Sequence, residues 1–195
     1  MNLDPVVLAG PSVRLEPLSR THAADLLTAA SHDEVWTYLD EPTTRTVEDM
    51  WRMTDEALHE QQDGSRLPFA IIESATSRAV GSVSYINISH AHRSLEIGWA
   101  WLAPDVWGQG IFGEAGYLLL RHALEYLGAV RVSFKADIRN LQSQRAIVKL
   151  GATCDGVFRN HRILSDGHKR DSVYFSVIDS DWPSVHEQLK HRLGR

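Results

Sequence analysis

A glycine-rich segment that leads into an amphipathic helix constrains this fold more than any other feature. Residues 107–125 read WGQGIFGEAGYLLLRHALE and contain a literal G-x-G-x-x-G at Gly108, Gly110 and Gly113. Glycine lets a backbone approach a ligand closely, and the unpaired N–H groups at a helix start form an anion site with the positive end of the helix dipole. The segment therefore predicts either a pyrophosphate-binding loop or a glycine-rich turn that only connects a strand to a helix.

A dinucleotide is one molecule that could supply a pyrophosphate. A strand precedes the glycines, a helix and a second strand follow, and Asp137 ends the second strand where a ribose-binding carboxylate would stand. In dinucleotide folds the glycines follow the strand directly, whereas residues 103–107 separate Leu102 from Gly108. A doubly wound fold also needs repeated strand–helix units. A nicotinamide-dinucleotide-dependent reductase is therefore retained only as an alternative.

Hydrophobic periodicity predicts the order of the elements. Alternation predicts strands over 12–19, 67–74, 78–88, 94–103 and 129–137, of which the middle three form an antiparallel meander, and a C-terminal hairpin around 165–167. Helical spacing predicts helices over 22–30, 47–62, 111–127, 140–151 and 181–193. Thr21 and Thr46 are the predicted caps of the first two helices. The helix over 111–127 is predicted to bury Ile111, Ala115, Leu118, Leu119, Ala123 and Tyr126.

Length and composition bound the class of protein. The 195 residues predict a single domain over 1–195, and 43% hydrophobic residues are ordinary for a globular protein. No apolar run approaches the roughly 20 residues that span a bilayer, and the N-terminus lacks a signal-peptide pattern, so we expect a cytoplasmic protein with no membrane partner. Cys154 is the only cysteine, and no Cys/His spacing resembles a metal site. A formal net charge of -5 argues against nucleic-acid binding.

An acidic segment stands out against this even composition. Residues 31–63 hold ten acidic side chains and only two arginines, Arg45 and Arg52. Such a segment would attract a cation, although charged runs are more often a solvated helix face. The acidic residues are Asp33, Glu34, Asp40, Glu41, Glu48, Asp49, Asp55, Glu56, Glu60 and Asp63.

Residues 95–152 resemble the core of the GCN5-related N-acetyltransferases, specifically the branch of the ribosomal-protein N-terminal acetyltransferases (RimJ/RimL-like). In that family a strand containing Glu-Ile-Gly precedes a Gly-x-Gly loop, and an Asn-x-x-Ser helix ending in Lys-x-Gly follows. The matching positions are Glu96, Ile97, Gly98, Pro104, Gly108, Gly110, Glu114, Ala115, Asn140, Ser143, Lys149 and Gly151. With the order of elements, the resemblance covers about residues 12–180.

The resemblance implies an α+β, three-layer mixed fold: a mixed, mostly antiparallel sheet of about seven strands flanked by helices. It also implies an enzyme that transfers the acetyl group of acetyl-CoA to a primary amine, with no metal. The acidic segment favours a cationic amine as the acceptor. This acceptor would be a protein N-terminus or a small cationic amine. A noncatalytic CoA-binding module is the second alternative. An exposed strand edge would support a homodimer.

The resemblance further implies which residues hold acetyl-CoA. They are Trp101, Leu102, Trp107, Gly108, Gln109, Gly110, Ile111, Phe112, Gly113, Asn140 and Ser143. Backbone N–H groups near Trp101 and Leu102 would polarise the thioester carbonyl. Trp107 and Phe112 depart from the common pattern of the family, and Phe112 would crowd the loop if it pointed inward. Asn140 would bind the pantetheine arm or only cap its helix.

Three residues are the candidate catalytic groups. Ser143 is expected to protonate the departing thiolate, because Ile147 stands where many relatives carry a tyrosine. Glu96, on the central strand, is the first candidate base for the amine proton. His161, whose imidazole titrates in the useful range, is the second. For each, a structural role is the alternative.

The acceptor is expected to contact the segment 32–43, since the helices after the first strand flank the acceptor in the family. Trp36 and Tyr38 are the candidate contacts, although aromatic residues at that spacing are more often core. Asp171 would orient His161 or pair with Arg170.

Overall fold

The computed structural model describes residues 1–39, 41, 44 and 46–194. In these residues eight strands form one sheet in the order β1-β2-β3-β4-β5-β6-β8-β7. Neighbouring strands are antiparallel except for the parallel pair β5–β6. The strands are β1 (Leu8–Ala9), β2 (Val13–Pro17), β3 (Leu67–Glu73), β4 (Arg78–Ser89), β5 (Ser94–Leu102), β6 (Arg131–Asp137), β7 (Thr153–Ile163) and β8 (Lys169–Ile178). The expected meander and hairpin are confirmed, and β1 is the strand that periodicity did not predict.

Helices cover both faces of the sheet. They are α1 (Ala23–Ala30), α2 (Asp33–Trp36), α3 (Val47–Gln62), α4 (Ile111–Arg121), α5 (Leu141–Lys149) and α6 (Trp182–Arg192). Successive side chains of a strand point to opposite faces. On β4, the Tyr85 hydroxyl donates to the Leu119 carbonyl of α4 at 2.7 Å, whereas Ser82 and Ser84 face the side of α1 and α3. The three-layer architecture is therefore confirmed.

Capping chemistry fixes where the first helices begin. Thr46 accepts from the Asp49 N–H at 3.1 Å, and the Asp49 carboxylate accepts from the Thr46 N–H at 3.1 Å, which confirms the predicted capping box. The other predicted cap is wrong. A 3₁₀ turn over residues 20–22 precedes α1, and Ser19, not Thr21, stands at the start, with its N–H donating to His22 Nδ1 at 3.2 Å.

The end of α4 also differs from the prediction. Beyond Arg121 the helix continues over 122–126 as a π-helical turn, in which the Leu127 N–H donates to the His122 carbonyl at 3.0 Å. A π turn takes one residue more than an α turn and rotates the following side chains. Tyr126 is consequently 66% exposed and does not belong to the buried stripe, whereas the other five stripe residues are buried.

The described residues contain no helix that is long and apolar enough to cross a membrane. At the outer edge of the sheet lies β7, which exposes Val157, Phe158 and Ile163. A homodimer across this edge stays a prediction.

Gly116 of α4 packs tightly against Leu150, the residue that follows α5. A Cβ atom added there would lie 2.6 Å from the Leu150 side chain, whereas a Cβ at Gly113 of the same helix would meet nothing within 4 Å. Gly116→Ala is therefore expected to lower the free energy of unfolding by about 1 to 3 kcal/mol relative to Gly113→Ala, because both substitutions gain helix propensity and only one overpacks. Urea unfolding of both variants measures the difference, and equal stabilities would contradict the close approach.

Candidate active site

The parallel strands β5 and β6 separate along their length. Their registered pairs are Ser94 with Arg131, Leu95 with Val132 and Glu96 with Ser133. Beyond Glu96, β5 runs on to Leu102 and β6 to Asp137, and the described residues show no further β5–β6 pair. The result is a wedge-shaped gap whose closed end lies at Glu96. Because the strands are parallel, the helices that follow them, α4 and α5, both begin at the open end.

A β-bulge bends β5 away from its parallel neighbour. Gly98 pairs with Ser84 and Trp101 with Ser82, so that two residues of β5, Trp99 and Ala100, stand opposite the single residue Val83. Trp99 has a φ of 49°, a left-handed conformation that costs a non-glycine residue about 1 to 2 kcal/mol. Bulges of this kind increase strand twist and are common beside active sites.

Arg66 holds the bulge in place. Its side chain is largely buried, and its Nε donates to Ser84 Oγ at 2.8 Å on the paired strand. Its Nη1 donates to Glu60 of α3 at 3.0 Å, and the guanidinium lies 5.1 Å from the centre of the Trp99 ring. The contact with Trp99 compensates for part of the backbone strain there.

The glycine loop is open to a ligand. Gly108 and Gly110 have φ values of 77° and 85°, both are exposed, and a Cβ at either position would meet nothing within 4 Å. Gly110 stands at the cap position of α4, and no described side chain caps the helix there. The first N–H groups of α4 are therefore free to bind an anion.

The side chains of the loop turn away from this open surface. Trp107 Nε1 donates to the Leu102 carbonyl at 3.0 Å, and Gln109 Nε2 donates to the Asp105 carbonyl. Ile111 is buried, and Phe112 packs against the hydrophobic core, so it does not crowd the loop. The loop thus offers backbone rather than side-chain donors to a ligand.

The start of α5 lies on the same face of the sheet as α4. Asn140 Oδ1 accepts from the Ser143 N–H at 2.9 Å, so Asn140 does cap its helix. Ser143 is half-buried in the first turn, with its N–H held by this cap. Ile147, one turn further on, is buried in the core. The cap leaves the amide nitrogen of Asn140 for other contacts, because an Asn side chain both donates and accepts.

A polar cluster occupies the opposite face at the closed end of the gap. Glu96 is only 4% exposed; it accepts from Asn87 Nδ2 at 2.9 Å and lies 3.3 Å from Lys135 Nζ. A buried carboxylate that is paired and hydrogen-bonded in this way keeps its charge at modest cost. Lys135 in turn lies 5.8 Å from the ring centre of Tyr174, its cross-strand partner on β8.

His161 belongs to the same cluster. Its Nδ1 lies 3.0 Å from Ser172 Oγ and its Nε2 lies 3.3 Å from the Tyr174 hydroxyl. Burial lowers the pKa of His161, and the positive charges of Lys135, Arg162 and Arg170 lower it further against the opposing charge of Glu96. Burial and the charge of Glu96 raise the pKa of Tyr174. At neutral pH the cluster therefore holds a neutral imidazole beside a neutral phenol.

The other predicted contacts of His161 lie elsewhere. Asp171 accepts from the Asn160 N–H at 2.7 Å and supports a bulge of β7, where Asn160 has a φ of 49°. Ser172 and Tyr174, instead of Asp171, therefore contact the His161 ring. Arg170 pairs with Asp137 at 3.8 Å rather than with Asp171.

The predicted acceptor residues have two different surroundings. Trp36 is 5% exposed; its Nε1 donates to the Ala30 carbonyl at 2.7 Å and its ring centre lies 5.8 Å from that of Trp101, so it is a core residue. Tyr38 is half-buried, and its ring centre lies 5.8 Å from the Arg139 guanidinium. Within the segment 32–43 and the acidic segment, Asp40, Pro42, Thr43 and Arg45 lie outside the described residues.

Several residues of the site had not been singled out from the sequence: Asn87, Lys135, Tyr174 and Arg66. The available signal was the alternation of polar residues in β6 and β8, where every second position (Ser133, Lys135, Asp137; Ser172, Tyr174, Ser176) faces the cluster. In the described residues, no group of three or more His, Cys, Asp or Glu side chains is placed to hold a metal ion.

This split sheet, with a glycine loop at its open end, has the architecture of an acetyltransferase. A model of the acetyltransferase (GNAT) domain matches residues 12–153, so the chain belongs to the GNAT acetyltransferase family. The predicted fold and the resemblance to the RimJ/RimL-like branch are both confirmed. The single parallel pair of strands is also unlike the doubly wound sheet that the reductase alternative requires.

Three similar proteins illustrate the family. A GCN5-related N-acetyltransferase from Brucella melitensis is 28% identical with a TM-score of 0.89, covering 96% of this chain and 85% of that one. The ribosomal-protein-serine acetyltransferase of Escherichia coli (strain K12) is 28% identical over 101 residues, 52% of this chain and 56% of that protein. Mycobacterium smegmatis RimJ in complex with CoA-disulfide is 24% identical with a TM-score of 0.81, covering 98% of this chain and 93% of that one. The last likeness shows the fold alone.

Asp137, which ends β6, links the stability of the open end to pH. It is 1% exposed and accepts from Arg139 Nε at 3.0 Å and Nη2 at 2.8 Å. Burial raises the pKa of Asp137, but the hydrogen bonds and charges of Arg139 and Arg170 outweigh it, and the pKa is lowered. The ionised carboxylate therefore stabilises the fold above its unfolded pKa of about 4, and this contribution is lost as the pH falls toward the folded pKa.

Asp137→Asn is expected to lower the free energy of unfolding at pH 7 by about 3 kcal/mol, because it leaves the buried Arg170 without its charge partner. Below pH 4 the difference from the wild type should shrink. Urea unfolding between pH 2 and 7 measures both effects, with Asp105→Asn on the exposed surface as the control. Parallel pH curves for the wild type and Asp137→Asn would contradict this account.

Proposed function

We propose that this protein is an N-acetyltransferase that moves the acetyl group of acetyl-CoA to a primary amine by direct attack. The observation that carries the proposal is the gap between β5 and β6, which opens onto the uncapped start of α4. Membership of the GNAT family supports it. A protein N-terminus is the favoured acceptor because a relative is named a ribosomal-protein-serine acetyltransferase, and a small cationic amine is the second candidate. A cytoplasmic location is part of the proposal.

The residues at the open end fit a CoA pyrophosphate. Gly108 and Gly110 leave open space where a side chain would stand, and the N–H groups of residues 111–113 begin a helix with no side-chain cap. An anion at this place gains hydrogen bonds and the favourable end of the helix dipole. The Asn140 amide and the gap beyond Glu96 would hold the pantetheine arm. The CoA-disulfide complex of a RimJ with the same fold is consistent with this.

Acetyl-CoA would supply an activated thioester, and a backbone donor of β5 would stabilise the charge that develops on its oxygen. The Ala103 N–H donates to Val80 of β4 at 2.8 Å. Because backbone groups of successive strand residues point in opposite directions, the Leu102 N–H points away from β4 and toward the gap. Of the two predicted donors, Leu102 is therefore better directed than Trp101. A fixed donor of this kind is worth about 3 kcal/mol of transition-state stabilisation.

The attacking amine must lose a proton, since amines are largely protonated at neutral pH. We infer that His161 takes it through Tyr174: with the proton of the ring on Nδ1, Ser172 accepts from the imidazole and Nε2 accepts from the Tyr174 hydroxyl. The Tyr174 oxygen would then receive the amine proton as its own proton passes to Nε2. Glu96, which Lys135 and Asn87 hold, would attract the ammonium and orient it.

Ser143 would protonate the departing thiolate from the other face of the sheet. Helix α5 packs on α4, whereas Glu96 and His161 lie on the face of Ser84. Amine and thiolate would thus enter and leave on opposite sides of the gap. Separated acid and base groups keep the two proton transfers from interfering with each other.

Acetyl-CoA and CoA are expected to stabilise the protein against heating, by about 2.7 kcal/mol at 100 times the dissociation constant, whereas NADH and NADPH are not. Gly110→Ala should weaken CoA binding about tenfold, because a left-handed alanine strains the loop. Gly128→Ala, with a φ of 68° at the far end of the helix, carries the same strain and should keep the wild-type affinity. Stabilisation by a nicotinamide cofactor alone would overturn the proposal.

His161→Gln is expected to lower kcat by about 100-fold or more, the usual contribution of a general base. The wild-type kcat/KM should fall as the pH drops below the lowered pKa of His161, because the protonated ring accepts no proton, and this acidic limb should vanish in His161→Gln. Release of CoA thiol with a saturating amine measures both quantities.

Tyr174→Phe should reproduce the loss of kcat while acetyl-CoA affinity stays unchanged. His191→Gln, on the exposed end of α6, is the matched control and should behave as the wild type. If His161→Gln kept the full kcat and the acidic limb, Glu96 would be the base instead. If the wild type bound acetyl-CoA and acetylated no amine at all, the protein would be a CoA-binding module.

A further inference from the structure

A pocket of about 140 Å³ lies beside the β5 bulge, between the sheet and the helices α1 and α3. Its lining combines apolar with polar and charged side chains. The apolar ones are Leu18, Leu26, Met50, Met53, Trp99 and Trp101, and the others are Glu41, Thr54, Glu56, Glu60, Arg66 and Ser82. Trp101 is adjacent in sequence to Leu102, the proposed donor to the acetyl oxygen. The pocket therefore adjoins the gap on the face that carries the proposed base.

The hydroxyl groups inside the pocket already have partners. Thr54 Oγ1 donates to the Met50 carbonyl at 2.8 Å, and Ser82 Oγ donates to the Phe69 carbonyl at 2.9 Å. A polar group entering the pocket would lose its water without gaining these donors, which costs free energy. An apolar group has no hydrogen bonds to lose, and it buries its surface against tryptophan rings and methionine side chains. Methionine side chains adapt well to different shapes. The interior thus suits an apolar group.

Two of the three glutamates that line the pocket are already paired with arginines. Glu60 accepts from Arg66 at 3.0 Å, and Glu56 accepts from Arg52 at 3.0 Å. A basic side chain of the acceptor would compete with these two arginines for the carboxylates. The acidic composition of the segment 31–63 alone suggests a preference for cationic acceptors. These glutamate–arginine pairs make that preference weaker.

We propose that the pocket binds the side chain next to the reacting amine, so that the preferred acceptor is an amine with an apolar side chain, of leucine or methionine size, on the adjacent carbon. This inference rests on the proposed N-acetyltransferase function. The size is suitable, since an apolar cavity of roughly 150 Å³ holds a benzene molecule in another protein. The acceptor is either a peptide with such a first residue or a free amine of the same chemistry.

Turnover of tripeptides that differ only in their first residue tests the proposal. Leu-Gly-Gly and Met-Gly-Gly should have kcat/KM values about tenfold or more above those of Gly-Gly-Gly and Lys-Gly-Gly, the usual value of apolar contacts in a specificity pocket. Leucinamide and glycinamide, assayed in parallel, distinguish a free amine from a peptide. Equal kcat/KM values for Leu-Gly-Gly and Gly-Gly-Gly, or a higher value for Lys-Gly-Gly, would contradict the proposed role of the pocket. The proposed acetyl transfer would still stand.

Met53→Trp should fill the pocket and reduce the preference for leucine over glycine to less than threefold. Trp51→Ala, on the exposed side of the same helix, is the matched control and should keep the preference. If Met53→Trp does not fold, Met53→Ala enlarges the pocket and should shift the preference from leucine toward phenylalanine. An unchanged preference in a folded Met53 variant would contradict the assignment.

A binding measurement separates this proposal from the proposed function. In the presence of CoA, leucinamide should raise the melting temperature of the wild type more than glycinamide, and this difference should vanish in Met53→Trp. Should no amine be acetylated, the acetyl-transfer proposal fails, and the binding difference alone then supports the pocket. Equal melting-temperature shifts with leucinamide and glycinamide would contradict the proposed role of the pocket, whether or not any amine is acetylated.

Discussion

The separation of β5 from β6 is the constraint on which the rest of the molecule depends. A parallel pair normally keeps its hydrogen bonds along the whole strand, and giving them up leaves backbone groups that need other partners. Here the bulge at Trp99 and Ala100 lies just beyond the last β5–β6 pair. Arg66 supports the bulge through its hydrogen bonds to Ser84 of β4 and Glu60 of α3. The same backbone groups that lose their sheet partners become the donors available to a ligand. The opening is therefore a built part of the fold, maintained against the tendency of the sheet to close.

Charge inside the molecule is arranged around that opening. Glu96 and Asp137, at the closed end of the gap and at the end of β6, are both buried and both paired with cations. Removing either partner would leave a buried charge, whose cost is several kcal/mol. Burial lowers the pKa of His161, and the cations that pair with these carboxylates, Lys135 and Arg170, lower it further. The cations of structural ion pairs thus contribute to the protonation state of a candidate catalytic group.

Local rules predicted the elements well and the contacts between them poorly. The meander, the hairpin, the Thr46 capping box and the open glycine loop follow from residues close together in the chain, and all are present. The two-residue strand β1, the short helix α2 and the π turn that exposes Tyr126 lack a periodic signal long enough to read. Asn87, Lys135 and Tyr174 meet Glu96 or His161 only through strand register, which periodicity does not specify between distant segments. The glycine loop alone is compatible with either a dinucleotide or acetyl-CoA. Only the matching residues in the neighbouring strand and helix favour acetyl-CoA.

The close approach of α4 and α5 at Gly116 has a mechanical consequence. Close-packed side chains leave little free space, so a shift of α4 at Gly116 would press on Leu150 at the end of α5. One helix start carries the glycine loop, and the other carries Asn140 and Ser143. An anion bound at the loop would therefore also restrain the helix that carries Ser143. Binding at the start of α4 would then pre-order the chemistry at the start of α5. Conformational entropy that is lost on binding would not have to be lost again during the reaction.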